Sequence, residues 1–169
     1  MDKTVIRPIT IEDAERFNQL RQSIDSETSF MLAEAGERKI SLEQMKEKIQ
    51  KVLDSANSTI LLVEYEGVLV GFLLARGGPY KKVSRSATIV IGVLQAYGGR
   101  GIGTALFEKI EEWAHSHNMH RLQLGVMSSN ARALALYKER GFEIEGVKKE
   151  EMFLDGKWED EIMLAKILK

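Results

Sequence analysis

The chain has 169 residues, with 24 Lys and Arg against 25 Asp and Glu, a formal net charge of −1. That length fits a single domain able to bury a sizeable core, and the balanced charge argues against a nucleic-acid surface, which carries a basic excess. With no Cys, no apolar run behind Met1-Asp2-Lys3-Thr4, and Val68 to Ala75 as the longest apolar stretch, disulfides, thiolate chemistry and a membrane span of about 20 residues are not expected; a cytoplasmic protein acting away from membranes is.

Val5 to Ile9 reads as a first strand. Thr10 is a helix N-cap with Asp13 three residues on, and Phe17, Leu20 and Ile24 follow at helical spacing. Residues 25–40 are irregular and acidic. Ser41 and Gln44 form a capping box, and Leu42, Met45, Ile49, Val52 and Leu53 give a second helix its apolar face. Thr59 to Tyr65 and Val68 to Arg76 flank Glu66-Gly67 and predict a hairpin. After a loop over Gly77 to Ser84, the run Ala87 to Val93 carries no charge, as expected of a strand buried on both faces. A glycine-rich turn leads to a helix with Ile102, Leu106, Ile110, Trp113 and Ala114 on one face. Leu122, Leu124 and Val126 alternate as in a strand. Asn130 caps a short helix through Tyr137 that Gly141 closes, and two last strands meet at Asp155-Gly156. The order β-α-α-β-β-β-α-β-α-β-β describes a mixed α/β domain over residues 1–169, antiparallel at first, with one β-α-β crossover.

The strongest chemical signal is Tyr97-Gly98-Gly99-Arg100-Gly101-Ile102-Gly103-Thr104, set between a strand and an amphipathic helix. Glycines there let backbone approach a ligand closely, and the open N–H groups and dipole of the helix start attract anions, so a phosphate or pyrophosphate ligand is the natural inference. A P-loop would need Lys where Thr104 stands. A Rossmann fingerprint would need glycine at Thr104 and a carboxylate near the next strand, where Gln123, Met127, Ser128 and Ser129 occur instead. A purely structural tight turn remains the alternative.

Read as a whole, Gly98 to Leu106 resembles the acetyl-CoA-binding motif of the GNAT superfamily of N-acetyltransferases: Arg or Gln, two free positions, Gly, one free position, then Gly or Ala. Asn130-Ala131-Arg132-Ala133-Leu134-Ala135-Leu136-Tyr137-Lys138-Glu139-Arg140-Gly141-Phe142 resembles a second block of that family. The tail, with Glu145-Gly146, Gly156-Lys157-Trp158-Glu159-Asp160 and Met163, is similar to the ribosomal-protein acetyltransferase branch. The resemblance implies an α/β (α+β) fold: a mixed, mostly antiparallel twisted sheet of about seven strands with about four helices on both faces. One position departs from the motif. Gly98 stands where Arg or Gln belongs, and Arg100 and Arg132 are the two candidates to supply charge there.

The resemblance further implies direct acetyl transfer from acetyl-CoA to a primary amine in a ternary complex, with no metal. Val93 and Leu94 would offer a backbone N–H to the thioester carbonyl. Gly98, Gly99, Arg100, Gly101, Ile102, Gly103 and Thr104 would carry the pyrophosphate, with Arg132 and Ala133 beside them. Asn130 would hydrogen-bond the pantetheine arm, or serve only as a cap. Tyr137 would protonate the leaving thiolate, or be only a core tyrosine. From a tyrosine near pKa 10 to a thiol near 8.5, that transfer is uphill by about 2 kcal/mol. The strand Ala87 to Gly92 holds no carboxylate, so Glu27 or Glu64, through a water, are the candidate bases and acceptor-binding acids.

Other features carry less. His115, His117 and His120 sit where a helix C-terminus favours positive charge and read as surface residues rather than metal ligands. Lys81, Lys82 and Arg85 read as a solvated loop. Glu27, Glu34 and Glu37 would draw a cationic amine, while the tail resemblance leans to a peptide N-terminus as acceptor. Edge strands in the C-terminal half make a homodimer plausible. The competing class is a non-catalytic acyl-CoA-binding sensor on the same fold.

Overall fold

In the computed structural model, residues 3–169 are described; Met1 and Asp2, which open the expected 1–169 domain, lie outside them. The elements follow the expected order: β1 (Thr4–Pro8), α1 (Ala14–Glu27), α2 (Leu42–Asp54), β2 (Thr59–Tyr65), β3 (Val68–Gly77), β4 (Ser86–Val93), α3 (Ile102–Ser116), β5 (Arg121–Met127), α4 (Ala131–Glu139), β6 (Glu143–Leu154) and β7 (Lys157–Ile167). The seven strands form one sheet in the order β1-β2-β3-β4-β5-β7-β6. Every neighbouring pair is antiparallel except β4 with β5, the crossover that carries α3.

Each helix start has a local cause. Thr10 and Asp13 form a reciprocal capping box, so the chain enters α1 through a single 3-10 turn over Ile11–Asp13. Arg7 grips both oxygens of Asp13 at 2.7 Å, and this guanidinium holds the carboxyl down at about 2. Ser41 and Gln44 cap α2 in the same reciprocal way. Phe17, Leu20, Ile24, Met45 and Ile49 then pack on Leu62, Phe72 and Leu74, with Phe17 and Phe72 edge to face at 5.4 Å. On the other face, Leu106, Phe107, Ile110 and Ala114 of α3 pack on Leu73, Ala87, Ile89, Leu122, Leu124 and Leu164. The helices thus lie on both faces, as the resemblance implied.

β4 departs from the expectation of burial on both faces. Ala87, Ile89 and Gly92 are buried, but Thr88 is exposed and Val90 only half covered. The reason is lateral reach: α1 ends over β3 and the Gly92 end of β4, where Ile24 Cδ1 lies 3.1 Å from the position of a Gly92 Cβ. The middle of the sheet is therefore open on that face.

Candidate active site

Pairing of β4 with β5 covers only Ser86↔Arg121 to Thr88↔Gln123. Beyond that point β4 stays with β3 as far as Val93, while β5 stays with β7 as far as Met127. The two strands separate, and a wedge opens between Ile89–Val93 and Leu124–Met127. In an antiparallel ladder the residues bonded to the neighbour alternate with residues whose N–H and C=O point the other way. Gly78 N–H donates to Ser86 O at 3.0 Å and Leu94 N–H to Val70 O at 2.8 Å. Even-numbered residues of β4 thus bond β3, and Ile89, Ile91 and Val93 turn their backbone groups into the wedge. This corrects one expectation: the Leu94 N–H is already used, and of the expected pair only Val93 presents a free donor.

The glycine turn lies just past that donor. Gly99 and Gly101 adopt φ of +74° and +77°, a left-handed conformation costly for other residues. The first helical bond of α3 is Ala105 N–H to Gly101 O, which leaves the N–H groups of Ile102, Gly103 and Thr104 open at the positive end of a 15-residue helix. A Cβ on Gly103 would stand 2.8 Å from Leu136 Cδ2, so this glycine also sets how closely α3 and α4 approach.

Of the two candidate arginines, one lies beside Gly98. The Arg132 guanidinium of α4 lies 3.1 Å from where a Gly98 Cβ would be and 3.7 Å from that of Gly99. Arg100, the other candidate, instead stacks over Tyr65 and Tyr97, 5.3 and 5.1 Å from the ring centres. Open N–H donors under a guanidinium, reached across glycines, fit a pyrophosphate.

Asn130 accepts the Ala133 N–H and so caps α4, as expected, which leaves its amide NH2 available. Tyr137 is 8% exposed and packs edge to face on Phe107 at 5.7 Å. Its hydroxyl makes no hydrogen bond among the described residues and is not one of the sealed, unpartnered polar atoms. Burial pushes its pKa up to about 12, so it holds its proton more firmly than an ordinary tyrosine.

Both candidate acids are engaged by neighbours. Glu27 accepts the Gln95 backbone N–H at 2.6 Å and so ties α1 to the turn after β4. Glu64 is held by Arg7 at 2.6 Å and Arg16 at 3.6 Å, an ion-pair network under α1. A third carboxylate, not distinguished in the sequence, lies over β5 where that strand borders the wedge. Glu161 of β7 pairs with Met127, its Oε2 lies 2.8 Å from the position of a Cβ on Gly125, and its Oε1 lies 3.7 Å from Lys148 Nζ. Extending the β4–β5 register puts Met127 level with Gly92, beside Val93. Glu161 sits in the run Glu159-Asp160-Glu161, and only its register separates it from its neighbours. Glu159 takes the Ser129 N–H, and Asp160 takes the Glu150 N–H.

Lys81 and Lys82 lie before β4, at the opposite end of that strand from the glycine turn. His117 stacks on Trp113 at 4.8 Å. Among the described residues no group of three or more His, Cys, Asp or Glu could hold a metal ion, and no helix is long and apolar enough to cross a membrane.

A model of the acetyltransferase (GNAT) family matches residues 17–142. The chain is 27% identical to the probable N-acetyltransferase YjcK of Bacillus subtilis, covering 96% of this chain and 93% of that one. Its fold superposes on an acetyltransferase of the GNAT family from Streptococcus pneumoniae with a TM-score of 0.95 at 26% identity, covering 98% and 99% of the two chains. A ribosomal-protein-alanine N-acetyltransferase from Brucella melitensis follows at a TM-score of 0.84 and 27% identity, covering 97% and 99%.

Proposed function

The chain belongs to the acetyltransferase (GNAT) family and is an N-acetyltransferase; from that premise we propose that it moves the acetyl group of acetyl-CoA to a primary amine by direct attack within the β4–β5 wedge. The observation that carries this reading is the free Val93 N–H beside the open N–H groups of Ile102, Gly103 and Thr104. One backbone row receives a thioester carbonyl, and the other receives a pyrophosphate.

Acetyl-CoA supplies an acetyl group on a thioester whose thiolate can leave. Arg132 and the start of α3 hold its phosphates, and the backbone edges of Ile89 to Val93 and of Gly125 to Met127 line the course of its pantetheine arm. The Val93 N–H points at the carbonyl oxygen as negative charge grows there, an interaction whose loss in other acyl transfers costs about 2.7–4 kcal/mol. Glu161, through a water, takes the proton released by the attacking amine. A new C–N bond forms, the C–S bond breaks, and Tyr137 returns a proton to sulfur. Tyr137 at about 12 makes that last step steeper than for an ordinary tyrosine. Burial lifts a thiolate in the same pocket likewise, which narrows the gap.

Release of the CoA thiol, followed across a panel of amines, tests the reading. Amine-dependent release is expected; acetyl-CoA binding without release for any amine would favour the sensor alternative. Glu161→Gln should lower kcat by roughly a hundredfold or more, the usual range for a lost general base, while the acetyl-CoA Kd stays unchanged. An unchanged kcat would overturn the assignment of Glu161.

A further inference from the structure

The acceptor side of the wedge has a chemistry of its own. On the face opposite α3, a groove of about 660 Å³ runs over Thr88, Val90 and Gln123, where α1 and α2 leave the sheet uncovered. Its charged lining residues are Arg76, Lys82 and Arg121, with no carboxylate among them. Arg121 is held by Glu145, which the guanidinium keeps below the usual carboxylate range, but Arg76 and Lys82 have no ion pair among the described residues.

α1 adds a further cation to the same face. The Arg21 guanidinium carbon stands 4.6 Å over the Phe72 ring, its Nε is buried without a partner, and it makes no hydrogen bond among the described residues. Its charge is felt by Arg38, Arg76 and Asp25. Asp25, the one buried carboxylate of the group, is engaged by Arg38 at 2.8 Å. Burial chiefly, and then the neighbouring Arg38 and Arg76 guanidinium groups, bring Arg21 down to about 10, while Asp25 acts in the opposite direction. Of the three acids that would draw a cationic acceptor, Glu27 is engaged by the Gln95 N–H and Glu37 by the Glu34 N–H, while the Glu34 carboxylate has no partner among the described residues.

We infer that this groove receives the acceptor, and that the acceptor is an amine carrying a carboxylate, which Arg21 and Arg76 bind. This rests on the N-acetyltransferase reading above. Arg21 lies over Phe72, level with Gly92, while Arg76 is level with Thr88, five residues back from Val93. At about 3.3 Å per residue, that is roughly 16 Å along β4. An acceptor whose amine reaches Val93 while its carboxylate reaches these arginines is a short peptide or an ω-amino acid. A polyamine would meet the like charge of Arg76, Lys82 and Arg121 along the groove.

The test compares acceptors that differ only in that charge: trialanine against trialaninamide and ε-aminocaproate against ε-aminocaproamide, with spermidine as the cationic rival. A charge-assisted contact predicts kcat/KM higher for the acids by about tenfold or more. Arg76→Glu should erase that preference while the acetyl-CoA Kd stays unchanged, and Arg21→Met should weaken it. Equal use of acid and amide, or a preference for spermidine, would overturn the inference. A weaker acetyl-CoA Kd in Arg76→Glu would overturn it too, because the groove would then serve the donor's phosphates. Calorimetric binding of trialanine and trialaninamide to the acetyl-CoA-loaded protein is read separately from turnover. Acid-selective binding without transfer upholds the carboxylate site and sinks the enzymatic reading; binding with no selectivity, or none, sinks the inference.

Discussion

The two sides of the β4–β5 wedge are built in opposite ways. On the proposed reading, the donor side is mostly backbone: the Val93 N–H, then Gly98 to Thr104 within twelve residues of chain. The proposed acceptor side is mostly side chain: Arg21 from α1, Arg76 from β3, Lys82 from a loop and Glu161 from β7, which the fold brings to one face. A site made of main-chain donors needs glycines at fixed positions and leaves a compact trace. A site made of side chains needs only that the right residues arrive together, and each of them alone reads as an ordinary surface charge. This explains why a family can keep one donor and vary its acceptors.

The largest effect that sharpens this contrast is expected on the donor side. Gly103→Trp drives an indole into Leu136, whose Cδ2 already lies 2.8 Å from the position of a Cβ. Acetyl-CoA binding should weaken by more than about a hundredfold, given the strain of overpacking at a helix contact. Calorimetry reads the loss, and circular dichroism checks that the helices persist. Binding that survives would separate the glycine turn from the donor site.

Tyr137→Phe comes next, because it removes a hydroxyl without a hydrogen-bond partner among the described residues and keeps the ring contacts with Phe107 and Phe142. Its kcat should fall by about a hundredfold at constant acetyl-CoA Kd, the lower end of an acid–base contribution. The same residue makes a pH prediction. Its folded pKa of about 12 stands above the unfolded value of about 10, so its contribution to stability is complete below pH 10. As pH rises from 10 to 12, about 3 kcal/mol is lost. Denaturant titrations should show that alkaline slope in the native chain and not in Tyr137→Phe.

The smallest effects separate the two arginines of the donor loop. Arg132→Ala should weaken acetyl-CoA about tenfold, since it removes a charged donor over Gly98 and Gly99. Arg100→Ala should cost about twofold, because its guanidinium is committed to Tyr65 and Tyr97. The reverse ranking would mean that Arg100 swings onto the phosphates.

Much of the fold could be read from the chain because its causes are local. The caps at Thr10, Ser41 and Asn130, the turns at Glu66-Gly67 and Asp155-Gly156, and the periodic faces of α2 and α3 each lie within a few residues. Burial of β4 was harder to read. Its uncharged run Ala87 to Val93 resembles a strand covered on both sides, but coverage depends on how far α1 reaches across the sheet. The glycine turn is visible in the chain, but at Gly98 nothing local separates Arg132 from Arg100; only the fold shows that Arg132 lies beside Gly98 and Arg100 over Tyr65 and Tyr97. The wedge left no trace in composition, because it arises where a pairing stops at Thr88 and Gln123. That same ending leaves the Val93 N–H turned into the wedge, while the β3 side takes that of Leu94. Glu161 was hidden among three adjacent acids until the β7 register singled it out.

The most direct measurement is a titration of the amide-labelled protein with acetyl-CoA, followed by NMR at backbone resolution. The account predicts saturable one-to-one shifts at the amides of Val93, Ile102, Gly103 and Thr104, with Leu94, bonded to Val70, keeping its hydrogen bond and slow exchange. Saturable shifts elsewhere that leave Val93 and the start of α3 unmoved would contradict it.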